Sequence, residues 1–245
     1  MKVSLFITCL VDQLFPQVGV ATVKLLTRRG VEVCFEREQT CCGQPAFNAG
    51  FQHEARAVAA GTLRLLARAL EGADFVVTPS GSCAAMVKLH YGELFAADEE
   101  LRAMAERVAP RVYELSQFLD EHLGGAGAWT SHNGRVTYHD SCHLLRELRV
   151  SAEPRRLIEA ARGAEFIEMD RADACCGFGG LFSVKYPELS AAIAEEKIAS
   201  ITRSGADTVV TCDAGCLMQI AGMLARRNSH VRCLHLAEFL AGEAE

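Results

Sequence analysis

Eight of the eleven cysteines fall into two sets with nearly the same spacing. In each set a single cysteine precedes a Cys-Cys-Gly triplet by 32 or 33 residues, and another cysteine follows the triplet's second cysteine by 40 or 41. The first set is Cys9, Cys41, Cys42 and Cys83, and the second is Cys142, Cys175, Cys176 and Cys216. Because such a spacing rarely recurs by chance, we interpret it as an internal repeat.

Four thiolates in each half are the ligand set of a [4Fe–4S] cluster. Two adjacent cysteines reach a single small ion poorly, whereas a cluster offers them irons on different corners, and zinc sites more often use Cys-x2-Cys pairs. The glycine after each doublet allows a close approach of the backbone, whose N–H groups bond to sulfur. We predict that these eight cysteines are the metal and cofactor ligands of one or two [4Fe–4S] clusters. Zinc and plain buried cysteine are the less favoured alternatives.

The other three cysteines have no partners in the repeat. Cys34 and Cys233 lie in predicted strands, where a cysteine behaves as a small core residue. Cys212 precedes Cys216 by four residues, and we interpret it as a group beside the site or an occasional ligand.

Two histidines bracket Cys142 in the segment YHDSCHL. Either His139 or His143 is suited to donate a hydrogen bond to a cluster sulfur or to carry a proton. The alternative is a structural histidine held by Asp140 or by the backbone.

Strands, helices and glycines alternate in the same order in both halves. The apolar strand at 206–211 repeats the strand at 73–78 with an offset of 133 residues. This order predicts an α/β fold of two pseudo-symmetric lobes, each a small, mainly parallel sheet flanked by helices, with the cysteine loops at strand ends. We assign the first repeat to residues 1–123, a linker to 124–134 and the second repeat to 135–245. About twelve extra residues in the first repeat fall between Glu93 and Glu106.

Composition narrows the class of protein. Half of the 245 residues are hydrophobic, 23% are charged and the formal net charge is −6, so two ordinary cores are feasible and nucleic acid or an anionic membrane surface is disfavoured as a partner. The N-terminal apolar run is too short for a signal peptide, and no run is long enough to span a membrane. We expect a cytoplasmic protein that reaches a membrane only through partners, in which many cysteines indicate metal or redox chemistry.

Together, the two cysteine sets resemble the cysteine-rich CCG domain family over nearly the whole chain. This family includes the CCG-containing subunit of heterodisulfide reductase and the iron–sulfur subunits of glycolate oxidase and anaerobic glycerol-3-phosphate dehydrogenase. The segments PSGSCAAM at 79–86, YHDSCHL at 138–144 and CLMQI at 216–220 are similar to its lactate-utilisation members, which also match in length.

The resemblance implies an iron–sulfur electron-transfer subunit of a complex that oxidises L-lactate to pyruvate, with the other subunits as partners. In heterodisulfide reductase a fifth thiolate completes each site, and here Ser80 and Asp213 stand in that place. We therefore expect ordinary clusters that pass electrons, with Asp213 as a group beside the site that adds negative charge or binds one iron weakly. The alternatives are a glycolate oxidase-type or heterodisulfide reductase-type subunit, and a zinc-stabilised interaction module without a redox role.

Overall fold

The computed structural model describes residues 1–125 and 129–242, which form two compact units, Met1–Phe118 and Leu119–Glu245. Each unit contains one four-stranded parallel sheet flanked by helices. This confirms the predicted α/β class and the two lobes. The repeat boundaries with a linker at 124–134 remain a prediction, and residues 126–128 of that linker lie outside the described residues.

The first unit has the sheet order β2-β1-β3-β4. Its strands are β1 (Lys2–Leu5), β2 (Glu32–Cys34), β3 (Phe75–Thr78) and β4 (Val112–Glu114). Its helices are α1 (Cys9–Leu14), α2 (Pro16–Arg28), α3 (Gln44–Asn48), α4 (Gln52–Ala69), α5 (Gly81–Ala85), α6 (Tyr91–Leu94), α7 (Glu99–Val108) and α8 (Leu115–Leu123), which begins in this unit. A π-helical turn, Met86–His90, joins α5 to α6, and a 3₁₀ turn, Ala109–Arg111, follows α7.

The second unit has the equivalent order, β6-β5-β7-β8. Its strands are β5 (Ser131–His139), β6 (Arg162–Phe166), β7 (Thr208–Thr211) and β8 (Arg232–His235). Its helices are α9 (Cys142–Arg146), α10 (Ala152–Glu159), α11 (Leu181–Lys185), α12 (Pro187–Ser204), α13 (Ala214–Arg226) and α14 (Leu236–Ala241).

Strand β6 lies about three residues earlier than the sequence predicts. We expect a strand at 165–168, whereas the ladder between β5 and β6 begins at Ser131 and Arg162. The register then shifts before Gly134, whose φ of 145° lies outside the range that other residues adopt readily. The irregular pairing hides this strand from a pattern-based prediction because the usual alternation is broken.

Burial on both faces explains the apolar strand sequences. Val76 and Val77 of β3 and Val209 and Val210 of β7 are fully buried, as expected for central strands of parallel sheets covered by helices. In the first unit, helix α4 packs its buried alanine and leucine face against the sheet and against α6 and α7. Helix α12 ends at Gly205, which adopts the left-handed conformation with φ 68°.

The segment 93–106, where the insertion is predicted, contains the end of α6 and most of α7, and Asp98 is the N-cap of α7. The Asp98 side chain accepts a hydrogen bond from the Leu101 N–H at 3.0 Å. Among residues 1–125 and 129–242, no helix is both long and apolar enough to cross a bilayer.

Candidate metal centre

The strand order explains why the cysteines converge. In each sheet the chain runs outward in opposite directions from two adjacent central strands, β1 and β3 or β5 and β7. A crevice opens beyond the carboxyl ends of the strands at such a switch point, where α/β proteins bind ligands. In the first unit Cys9 follows β1, Cys83 follows β3, and the doublet Cys41-Cys42 follows the neighbouring β2. Cys142, Cys216 and the second doublet follow β5, β7 and β6 in the same way.

The four cysteine sulfur atoms of the first unit form a series of two close pairs. The Cys9 Sγ lies 3.7 Å from the Cys41 Sγ, and the Cys42 Sγ lies 3.2 Å from the Cys83 Sγ. Cys41 and Cys42 are adjacent in the chain and shift each other's pKa, so the two pairs lie next to each other. All eleven cysteines of the chain are free thiols, so this is a cluster of thiols and not a disulfide.

The second unit repeats the series. The Cys176 Sγ lies 3.4 Å from the Cys216 Sγ, and Cys175 is close enough to Cys142 and Cys176 for both to shift its pKa. In both units the inner pair is buried and the outer pair is half-buried, with Cys42, Cys83, Cys176 and Cys216 inside and Cys9, Cys41, Cys142 and Cys175 outside. The four predicted ligands of each repeat therefore meet in one place with one side closer to solvent.

One thiol in each series carries the negative charge most readily. Hydrogen bonds from Cys42 and Cys9 lower the pKa of Cys41, and hydrogen bonds from Cys142 and Cys176 lower the pKa of Cys175. The same hydrogen bonds raise the pKa of the donor thiols. One thiol of each cluster therefore ionises more readily than its neighbours, and metal binding would displace the protons of the others.

The glycine after each doublet holds the loop against the following long helix. Gly43 and Gly177 have φ values of 88° and 89°, and their N–H groups donate to the Cys41 Sγ at 3.4 Å and to the Cys175 Sγ at 3.3 Å. A Cβ on Gly177 would lie 2.5 Å from the Ser190 carbonyl oxygen. Only glycine satisfies both the conformation and the close approach at these positions.

Different side chains support the two loops. In the first unit the Thr62 hydroxyl donates to the Cys41 carbonyl at 2.8 Å, and the Tyr91 hydroxyl donates to the Cys42 carbonyl at 2.9 Å. In the second unit the buried Lys197 ammonium donates to the carbonyls of Arg171 at 2.7 Å and Ala172 at 3.1 Å. The burial of Lys197 is not predictable from the sequence, because Lys197 follows two glutamates in a segment typical of an exposed helix face.

Ser80 and Asp213 cap the helices that carry the last cysteine of each set. The Ser80 Oγ accepts a hydrogen bond from the Cys83 N–H at 3.3 Å, and the Asp213 carboxylate accepts one from the Gly215 N–H at 3.0 Å. Both residues are buried. This capping supplies a structural reason for a hydroxyl and a carboxylate at these two positions.

The two histidines that bracket Cys142 lie in different environments. His143 pairs at 2.9 Å with Glu147, the residue directly after α9, and is half-buried. His139 is fully buried at the end of β5, beside Cys176 and Cys216. Burial lowers the pKa of His139 to about 3, and the nearby Lys197 charge contributes to the same shift.

The three remaining cysteines lie in or next to strands. Cys34 is in β2, where its thiol donates to the Val3 carbonyl at 3.4 Å. Cys233 is in β8, and burial raises its pKa. Cys212 is fully buried directly after β7, and its predicted place beside the site stays a prediction.

These residues fit a thiolate-bound metal or iron–sulfur group. The donor set in each unit consists of four soft sulfur ligands, one already disposed to ionise, under a backbone loop that leaves no room for a Cβ. A family model for the CCG cysteine-rich domain matches residues 3–88 and 136–221, one copy for each cluster of thiols. The chain belongs to the CCG cysteine-rich domain family.

Curated relatives match this CCG protein along nearly its full length. "Lactate utilization protein A" of Geobacillus kaustophilus is 47% identical over 240 residues, which cover 98% of both chains. "Lactate utilization protein A 2" of Bacillus cereus is 43% identical over 241 residues, again 98% of both chains.

A crystal structure of a hypothetical protein from Helicobacter pylori has a similar fold, with a TM-score of 0.63 and 14% identity. The match covers 98% of this chain and 48% of the Helicobacter chain, so the present chain spans about half the length of that protein. This likeness supports the fold alone.

Proposed function

We propose that this CCG protein is an iron–sulfur electron-transfer subunit of an L-lactate-oxidising system, with a [4Fe–4S] cluster held by the four thiolates of each unit. The observation that carries the proposal is the convergence of four sulfurs at the same point of both sheets. The names of these two relatives, both lactate utilization proteins, support lactate over glycolate as the compound whose oxidation supplies the electrons.

When bound, an iron–sulfur cluster supplies a one-electron acceptor and donor. The chain's own residues set its surroundings: the buried inner cysteines exclude water, and the half-buried outer cysteines leave the shortest path to a partner. Oxidation of lactate to pyruvate releases two electrons and two protons, whereas an iron–sulfur cluster carries one electron at a time. In this proposal the substrate site therefore belongs to a partner subunit. The location we propose remains cytoplasmic, with any membrane contact made through partners.

Zinc is the second candidate, and a distance favours it. A zinc–sulfur bond of about 2.3 Å places the corners of a tetrahedral site about 3.8 Å apart, and the Cys9–Cys41 contact of 3.7 Å is close to that value. The adjacent cysteines favour a cluster, because neighbouring thiolates bind different irons more easily than they bind one zinc ion. Asp213, a buried N-cap residue, stands where a heterodisulfide reductase has its fifth thiolate, and this argues against a substrate-binding site of that type.

The test compares two cysteine substitutions in anaerobically purified protein. Cys176→Ser removes an inner ligand of the second unit, so about half of the iron and acid-labile sulfide should be lost. Cys34→Ser is the matched control, since that thiol bonds to a strand carbonyl away from the sites. Unchanged iron in Cys176→Ser would falsify the ligand assignment, and zinc without sulfide in the unmodified protein would favour the non-redox module.

A further inference from the structure

His139 is a fully buried polar side chain whose own hydrogen-bonding needs are not met. Among residues 1–125 and 129–242, neither of its ring nitrogens makes a well-formed hydrogen bond. The Ala172 backbone interacts with the ring, but its carbonyl already accepts from the Asp140 N–H at 3.2 Å and from the Lys197 ammonium at 3.1 Å. Buried polar groups in native proteins are nearly always paired, so an unpaired imidazole indicates a missing partner.

Two sulfur atoms of the second unit lie next to this ring. A His139 ring nitrogen and the Sγ atoms of Cys176 and Cys216 all lie within 4.8 Å of one another, and all three residues are buried. Imidazole nitrogen and thiolate sulfur are both ligands of iron and of zinc. The partner that the imidazole lacks is therefore a metal ion at the same place as the thiolates.

The first unit provides an internal comparison. Phe6 lies three residues before Cys9, as His139 lies three residues before Cys142. Phe6 directly follows β1 and His139 is the last residue of β5, so both lie at the carboxyl end of the equivalent central strand. Phe6 is also fully buried. An apolar ring thus satisfies the packing at this position, and packing gives no reason for a histidine in the second unit.

We propose that His139 is a nitrogen ligand of the metal centre in the second unit, where it takes the place of one of the four thiolates and so makes that centre chemically different from the all-thiolate centre of the first. Ligation through His139 holds for iron–sulfur and for zinc alike, whereas its redox consequence rests on the proposed function. A neutral imidazole brings no negative charge, and histidine ligands raise the potential of iron–sulfur centres that carry them. Two centres of unequal potential give electron flow through the chain a direction.

The direct test uses protein labelled with ¹⁵N-histidine and reconstituted anaerobically. Pulsed electron paramagnetic resonance of the reduced protein should show a directly bonded ¹⁵N nucleus. The coupling should persist in His143→Phe, the matched control that removes the neighbouring histidine, and disappear in His139→Phe, which copies the residue of the first unit. A reduced iron–sulfur signal without nitrogen coupling in the unmodified protein, or a coupling that survives His139→Phe, overturns the proposal.

The redox consequence is measured on the same samples. With iron content retained, His139→Phe should lower the midpoint potential of one centre by about 59 mV, a tenfold change in the one-electron equilibrium constant, and leave the other centre unchanged. A potential that does not move, or that rises, contradicts the proposed role of the nitrogen ligand.

A metal substitution separates this proposal from the proposed function. Metal-free protein titrated with Co²⁺ should show visible bands whose position shifts in His139→Phe and stays in His143→Phe. Identical Co²⁺ spectra in His139→Phe and the unmodified protein overturn the ligation. A shifted spectrum in a protein that takes up no iron or sulfide supports the ligation and refutes the electron-transfer function alone.

Discussion

Gly177→Ala should destabilise the second unit more than a glycine-to-alanine change at any other glycine of that unit that has a positive φ. The new Cβ would meet the Ser190 carbonyl oxygen at 2.5 Å and the Ala194 nitrogen at 3.1 Å, both of them helix backbone atoms that move only with α12. Left-handed backbone costs about 1–2 kcal/mol for alanine, and overpacking adds about 1–3 kcal/mol. The free energy of unfolding should fall by about 2–5 kcal/mol, the sum of these two costs.

Gly205→Ala is the matched control. Gly205 ends the same helix with φ 68°, and the nearest atom to its Cβ is the Arg135 Nη1 at 3.1 Å, the end of a flexible side chain. The control therefore isolates the conformational cost of about 1–2 kcal/mol. Both changes leave the cysteines themselves intact.

Urea unfolding of the metal-free protein measures the difference. Trp129 is the only tryptophan in the sequence and lies in the second unit, so its fluorescence reports the unfolding of that unit. At equal slope, the midpoint for Gly177→Ala should fall below that for Gly205→Ala. Equal midpoints for the two variants would show that the close approach at Gly177 has no energetic weight, and the proposed packing of the cysteine loop would be wrong.

Three further predictions concern polar groups of the second unit and are measured by the same fluorescence assay. Arg155→Ala should cost about 3 kcal/mol because it leaves the buried Asp140 carboxylate without its two hydrogen bonds of 2.8 and 2.9 Å, and adding Asp140→Asn should restore part of the loss. Full additivity of the two losses would contradict that pairing. Asp213→Ala should cost about 0.5–2 kcal/mol through loss of the N-cap, whereas Asp213→Asn should be near neutral, and equal losses would contradict the capping role. Lys197→Met should cost about 1–3 kcal/mol because the carbonyls of Arg171 and Ala172 each lose a hydrogen bond from a charged donor, and an unchanged midpoint would exclude that role.

The sequence is sufficient to predict that the cysteines of each repeat lie close together, because equivalent positions in a repeated strand-loop-helix pattern occupy equivalent places in the fold. Parallel strands present their carboxyl ends at one edge, so cysteines placed after β1, β2 and β3 must approach one another. The repeated strand at 73–78 and 206–211 is recognisable for a related reason, since central strands buried on both faces have apolar sequences.

The roles of single polar residues cannot be predicted from the sequence, because these roles depend on burial and not on spacing. His139 and His143 have the same residue type and bracket the same cysteine, yet one is enclosed at the end of β5 and the other pairs with Glu147, directly after α9. Lys197 follows two glutamates, as an exposed residue would, and is buried because α12 turns that face toward the loop before Cys175.

Metal and sulfide analysis of the unmodified, anaerobically isolated chain tests the central claim most directly. Two [4Fe–4S] clusters require about eight irons and eight acid-labile sulfides per chain, with broad visible absorption that bleaches on reduction. The account predicts iron and sulfide in equal amounts, with little zinc. About one zinc ion for each unit, with no acid-labile sulfide and no reducible absorption, would contradict it.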